Sequence, residues 1–219
     1  MREMFNMDNP FWSVINRIID IVYLSILWTI CSLPLVTIGS TSAALYYSIV
    51  KTVRMGRSYS SKEFFYSLKM NIKKGCLIQV VFILFTVAML FSDYPMLLLF
   101  LRNREISNTV LFVIACIKAF ILIALANWIF PILSRFDDSV IKMFGASFLQ
   151  VVTRFPQTLL CVIIIIGGII ICLEEPLLLA VAPGTEVLIL SYIIEPSLRG
   201  FTDQWSRQDL CANLFAGSG

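Results

Sequence analysis

Hydrophobic residues in this chain come in long blocks separated by short polar stretches, and the first block sets the pattern. Thirty consecutive residues, 21–50, carry no charge, with Asp20 before them and Lys51 after. A membrane-crossing helix needs about 20 apolar residues, so the block is long for one crossing and short for two. Leu33-Pro34 and Gly39 interrupt it near the middle. Proline lacks a backbone donor and disfavours helix just before it, while glycine tolerates turns. The pattern predicts a membrane hairpin: a helix over residues 18–33, a turn at 34–40, and a shorter helix over 41–51. Thr41-Ser42-Ala43-Ala44 gives the returning arm a small-residue surface that another helix can approach closely.

The periodicity then changes. Within 60–74, Phe64, Phe65, Leu68 and Ile72 share one helical face, and Lys62, Tyr66, Lys69 and Lys73 share the other. Ser60 with Glu63 three residues on fits a capping box. An apolar stripe beside a basic one suits a helix lying on an anionic leaflet, or one packed on the protein's own loops. Four further apolar blocks predict spans over 75–91, 106–133, 158–172 and 177–194. Ahead of the hairpin, Asn9-Pro10-Phe11-Trp12 leads into an apolar face suited to the interface, and Arg17 is spaced to pair with Asp20.

Composition supports this reading and narrows it. Hydrophobic residues make up 58% and charged ones only 14%, against about a quarter charged in soluble domains; mean hydropathy is +0.86. With 219 residues, a single membrane domain over 1–219 is expected. Asp8 and Asp20 interrupt the apolar start and no small-residue cleavage site follows, so the first helix is expected to remain as an anchor.

Charge fixes the expected orientation. Residues 51–74 hold Lys51, Arg54, Arg57, Lys62, Lys69, Lys73 and Lys74 against Glu63 alone. A basic cluster this close to apolar spans is a topology signal before it is a nucleic-acid one, and no nucleic-acid partner is expected. It places 51–74 in the cytoplasm, together with the loop 135–154 and the C-terminal tail carrying Arg199 and Arg207. The fold expected is an all-α polytopic bundle of six spans, with a cytoplasmic amphipathic helix and the N-terminus inside. Five spans result if 41–51 does not cross.

Chemistry is sparse. The chain has no histidine, which removes the commonest general base and metal ligand. Cys31, Cys76, Cys116, Cys161, Cys172 and Cys211 have no paired spacing and mostly lie in apolar runs, where cysteine packs as a small hydrophobe. There is no phosphate loop, dinucleotide fingerprint or metal-ligand cluster. No enzymatic activity and no cofactor are expected.

The residues singled out are charges and amides inside apolar spans. Lys118 and Glu186 lie deep in the fourth and sixth spans, where charge is expensive and therefore a functional candidate; at comparable depth, they could pair. Asn127, followed by Pro131, marks a kinked, polar-lined helix, or a single interhelical hydrogen bond. Glu195-Pro196 ends the last span, and Glu195 is expected at the interface. Lys62, Lys69, Lys73, Lys74 and Arg135 are candidate contacts for the membrane surface or a partner.

Several motifs in order also resemble the YesL family of bacterial integral membrane proteins, a domain of unknown function. They are Asn9-Pro10-Phe11, Asn16-Arg17 with Asp20, the run Cys31-Ser32-Leu33-Pro34-Leu35-Val36-Thr37-Ile38-Gly39 after Trp28, and Ala43-Ala44-Leu45-Tyr46-Tyr47. Phe64-Phe65, Leu68-Lys69, Phe130-Pro131-Ile132-Leu133-Ser134-Arg135-Phe136-Asp137, Pro183-Gly184, Ser191 and Glu195-Pro196 follow. The chain departs from the pattern at Ser25, where Asn is expected, implying a weaker polar contact from the first helix. The resemblance implies a Gram-positive membrane protein encoded beside carbohydrate uptake transporters and polysaccharide-degrading enzymes, with no catalytic residues assigned. It points to a non-enzymatic accessory factor in the cell membrane, touching the lipid bilayer and ABC-type sugar permease subunits. The alternative is a small-solute transporter in its own right, with a polar path near Lys118, Asn127 and Glu186.

Overall fold

The computed structural model describes residues 10–56, 59–102 and 106–216. Asn9, Arg57 and residues 103–105 lie outside the described residues, as do the side chains of Phe11, Trp12, Cys211, Arg199 and Arg207. All regular structure among the described residues is helical. Helix α1 (Pro10–Cys31) is followed by a 3-10 turn (Leu35–Thr37), then α2 (Ile38–Ser48) running into a π-helical segment (Ile49–Arg54). Then come α3 (Ser60–Arg102), α4 (Ile106–Leu133), α5 (Val140–Thr153) and α6 (Phe155–Glu174), a second 3-10 turn (Pro176–Ala180), and α7 (Ala182–Ala216). Among the described residues, four stretches are long and apolar enough to cross a membrane: Val14–Cys31, Ser60–Pro95, Thr109–Leu133 and Phe155–Glu174. Their outer faces are apolar, with Phe91 and Leu173 more than three-quarters exposed, as a lipid-facing surface requires. The molecule is an all-α membrane protein.

The hairpin forms where Pro34 and Gly39 place it. Pro34 takes an extended conformation, and the Thr37 hydroxyl donates to the carbonyls of Cys31 and Pro34, each at 2.7 Å. Across the two arms the Trp28 indole N–H reaches the Ser42 hydroxyl at 3.2 Å. The short arm is closely enclosed: Gly39, Ser40, Thr41, Ala43, Ala44, Leu45 and Tyr46 are all buried.

Small residues allow this. A Cβ on Gly39 would stand 2.6 Å from the Gly75 carbonyl oxygen, and one on Gly75 would stand 2.6 Å from Ser40 Cα. The α2 and α3 backbones therefore touch, which only glycine permits at these two positions.

The same contact corrects the expected boundary at Gly75. The amphipathic segment 60–74 and the span 75–91 are one helix, α3, which runs on to Arg102 through the expected loop 92–105 with Pro95 inside it. Because α2 lies along its first half, the expected apolar face is split. Phe64 is fully buried, while Phe65 and Ile72 are exposed. The capping box does not form: Ser60 donates to Asp20 Oδ1 at 2.5 Å, and Glu63 pairs with Lys51 at 2.7 Å. The expected loop 135–154 contains α5. The last apolar block starts as a 3-10 turn, with α7 beginning at Ala182 and Pro183 in its first turn, where a missing N–H costs nothing.

Ser25 is fully buried and accepts the Gly184 backbone N–H at 2.9 Å. It thereby satisfies one of the free donors that every helix N-terminus carries and ties α1 to α7.

Candidate functional site

Around α2, the helices α1, α4, α6 and α7 leave a cavity of about 550 Å³, within the size range of small-molecule sites. Its walls are mostly apolar. On α7, Pro183, Glu186, Leu190 and Ile194 line it along one face, because positions three and four apart stack on a helix.

Two polar side chains stand out against these walls. Asn127 on α4 is 7% exposed and its Nδ2 makes no hydrogen bond among the described residues. The neighbouring Cys161 thiol offers only a weak acceptor. Leaving such a donor unmade costs about 1–3 kcal/mol. Pro131, four residues on, has no N–H to give the Asn127 carbonyl, so the helix is also weakened at this point. Glu186 is the second. Its carboxylate lies over Gly168 of α6, where a Cβ would stand 2.8 Å from Oε2. It has no ion-pair partner among the described residues.

The far end of the cavity is closed by a buried polar cluster. Glu195, 1% exposed, accepts the Tyr46 hydroxyl at 3.1 Å and forms an ion pair with Arg135. Tyr46 borders the main cavity and also a smaller one of about 390 Å³ lined by Tyr47, Lys51, Ser134 and Arg135. The cluster therefore stands between the two spaces. Arg54 holds α7 from the other side: its guanidinium donates to the Ser191 carbonyl at 2.8 Å and lies 4.7 Å from the Tyr192 ring centre.

The singled-out residues separate into groups. Asn127 and Glu186 share the cavity. Lys118 does not pair with Glu186; it forms an ion pair with Asp93. The reason lies in α3, which continues past the expected end of its span and runs alongside α4. Phe82 and Phe130 approach to 6.1 Å, and the two helices bring Asp93 opposite Lys118. Glu195, expected at an interface, is buried, because Arg135 supplies its countercharge. Lys74 pairs with Asp137 and donates to the Asp138 carbonyl at 2.9 Å. Lys62, Lys69 and Lys73 are exposed and in no ion pair among the described residues. Sequence reasoning missed Tyr46 and Gly168; Glu195-Pro196 was the available signal for the buried cluster. No group of three residues suited to a metal occurs among the described residues.

A family model described as a protein of unknown function, DUF624, matches residues 21–94. The match covers the hairpin and most of α3, including Gly39, Gly75 and Tyr46. Asn127, Arg135, Glu186 and Glu195 lie beyond it. No curated protein and no solved structure matches the chain.

Proposed function

We propose that this protein is a non-enzymatic membrane protein that takes a small solute into the cavity between α1, α2, α4, α6 and α7, as a transporter or as the binding part of one. The observation that carries this reading is the cavity itself, which holds an orphaned Asn127 donor and a lone Glu186 carboxylate. The Arg135–Glu195–Tyr46 cluster supports it as a closed gate at one end. Under the positive-inside rule that end is cytoplasmic, because Lys51, Arg54 and Arg135 gather there.

The test is occupancy by a neutral probe. In detergent micelles 4-phenoxybutanol is expected to raise the melting temperature of the full chain, and Ala126→Trp, which fills the cavity from α4, to abolish the rise. A shift that persists undiminished in Ala126→Trp, or no shift in the unsubstituted chain, overturns the reading.

A second reading is favoured by a different observation: the exposed lysines Lys62, Lys69 and Lys73 on the first half of α3. They suit an accessory factor that contacts the permease of a carbohydrate uptake system, as the YesL resemblance implies. Sugar chemistry is weakly supported at the cavity itself. A free sugar presents several hydroxyls, and the walls offer few groups to receive them.

A further inference from the structure

The cavity is incompletely satisfied at two points, and they call for different chemistry. Asn127 Nδ2 is a buried donor with only the weak acceptor of the Cys161 thiol beside it, so it asks for an oxygen. Glu186 is a carboxylate without a cation or donor among the described residues, so it asks for positive charge. Gly168 leaves space for that carboxylate. A side chain there would collide with Oε2, so the carboxyl group rests against bare α6 backbone at the cavity wall.

We infer that the occupant is a small organic cation with an ammonium group against Glu186, an oxygen acceptor for Asn127, and an apolar body against the walls. This rests on the cavity being a solute site. The selection follows from charge in a low-dielectric space: a carboxylate holds an ammonium group by a charge-assisted hydrogen bond, which a neutral hydroxyl matches poorly. It repels an anion of the same shape. The apolar remainder of the lining recognises hydrocarbon without direction, so specificity falls on these two groups.

Three matched probes test this on the full chain in micelles: 4-phenoxybutylamine, 4-phenoxybutanol and 4-phenoxybutanoate. They share ring, ether oxygen and chain, and differ in charge. Isothermal titration is expected to show the amine binding about tenfold tighter than the alcohol, with the acid weakest. Glu186→Gln removes the preference for the amine over the alcohol. Gly168→Ala reduces the same preference by shifting the carboxylate without changing its charge, and it carries the test if Glu186→Gln does not fold. Asn127→Leu weakens amine and alcohol alike. Equal binding of amine and alcohol, or a preference that survives both Glu186→Gln and Gly168→Ala, overturns the cation and leaves the solute cavity standing. Failure of all three probes to bind overturns both.

Discussion

Glu195 illustrates how one residue changes meaning with its partners. At the end of an apolar run, a carboxylate before a proline reads as a residue meeting water. In the bundle it is almost fully enclosed and is shared by a guanidinium from 60 positions away and a phenol from 149 positions away. Buried ion pairs contribute little net stability, but removing one partner strands the other and costs about 3–5 kcal/mol. Arg135→Met is therefore expected to lower the melting temperature sharply, and Arg135→Met with Glu195→Met to recover most of the loss. A double variant less stable than Arg135→Met alone refutes this account of the cluster. Asn127 was legible in the sequence as an amide in an apolar span, and so was Glu186 as a charge in one. Their shared cavity was not legible, because spacing along a chain does not say which helices face each other. Lys118 shows the same gap: its partner, Asp93, sat in what read as a loop.

Among the helices, the contact of α2 with α3 is the most demanding. Backbone approach leaves no slack, so a single methyl at Gly75 must push the helices apart, and overpacking of this kind costs about 1–3 kcal/mol. Gly145 on α5 provides the contrast, since a Cβ there meets nothing within 4 Å. Gly75→Ala is expected to destabilise the chain, while Gly145→Ala leaves stability unchanged or raises it by up to about 1 kcal/mol, the intrinsic helix preference of alanine. Thermal unfolding of both variants decides; equal effects would remove the crossing from the explanation. The hairpin was readable from Pro34 and Gly39 because they break helices locally. Gly75 misled, since a glycine that ends a span and one that admits a neighbouring backbone look alike in sequence. The helix α5 was hidden because 14 residues between charged ends resemble a loop to any rule based on spans.

For the whole molecule, membrane character was plain from composition, and the arrangement of partners was not. The exposed lysines are the place to test assembly. If an uptake permease binds this protein through α3, permease subunits co-purify from native membranes and are lost when Lys62, Lys69 and Lys73 are all changed to Glu. Unchanged recovery with the triple variant counts against that surface. The length of α3 bears on this directly. At 43 residues it is about 64 Å long, roughly twice the hydrocarbon thickness of a bilayer. No upright placement hides it, so one end or both project from the apolar layer. The half bearing the three lysines grips α2, and the other half carries Asp93 and its ion pair with α4. A partner pressing on the lysine end would therefore press on the same helix that carries the ion pair to α4, whose Asn127 lines the cavity.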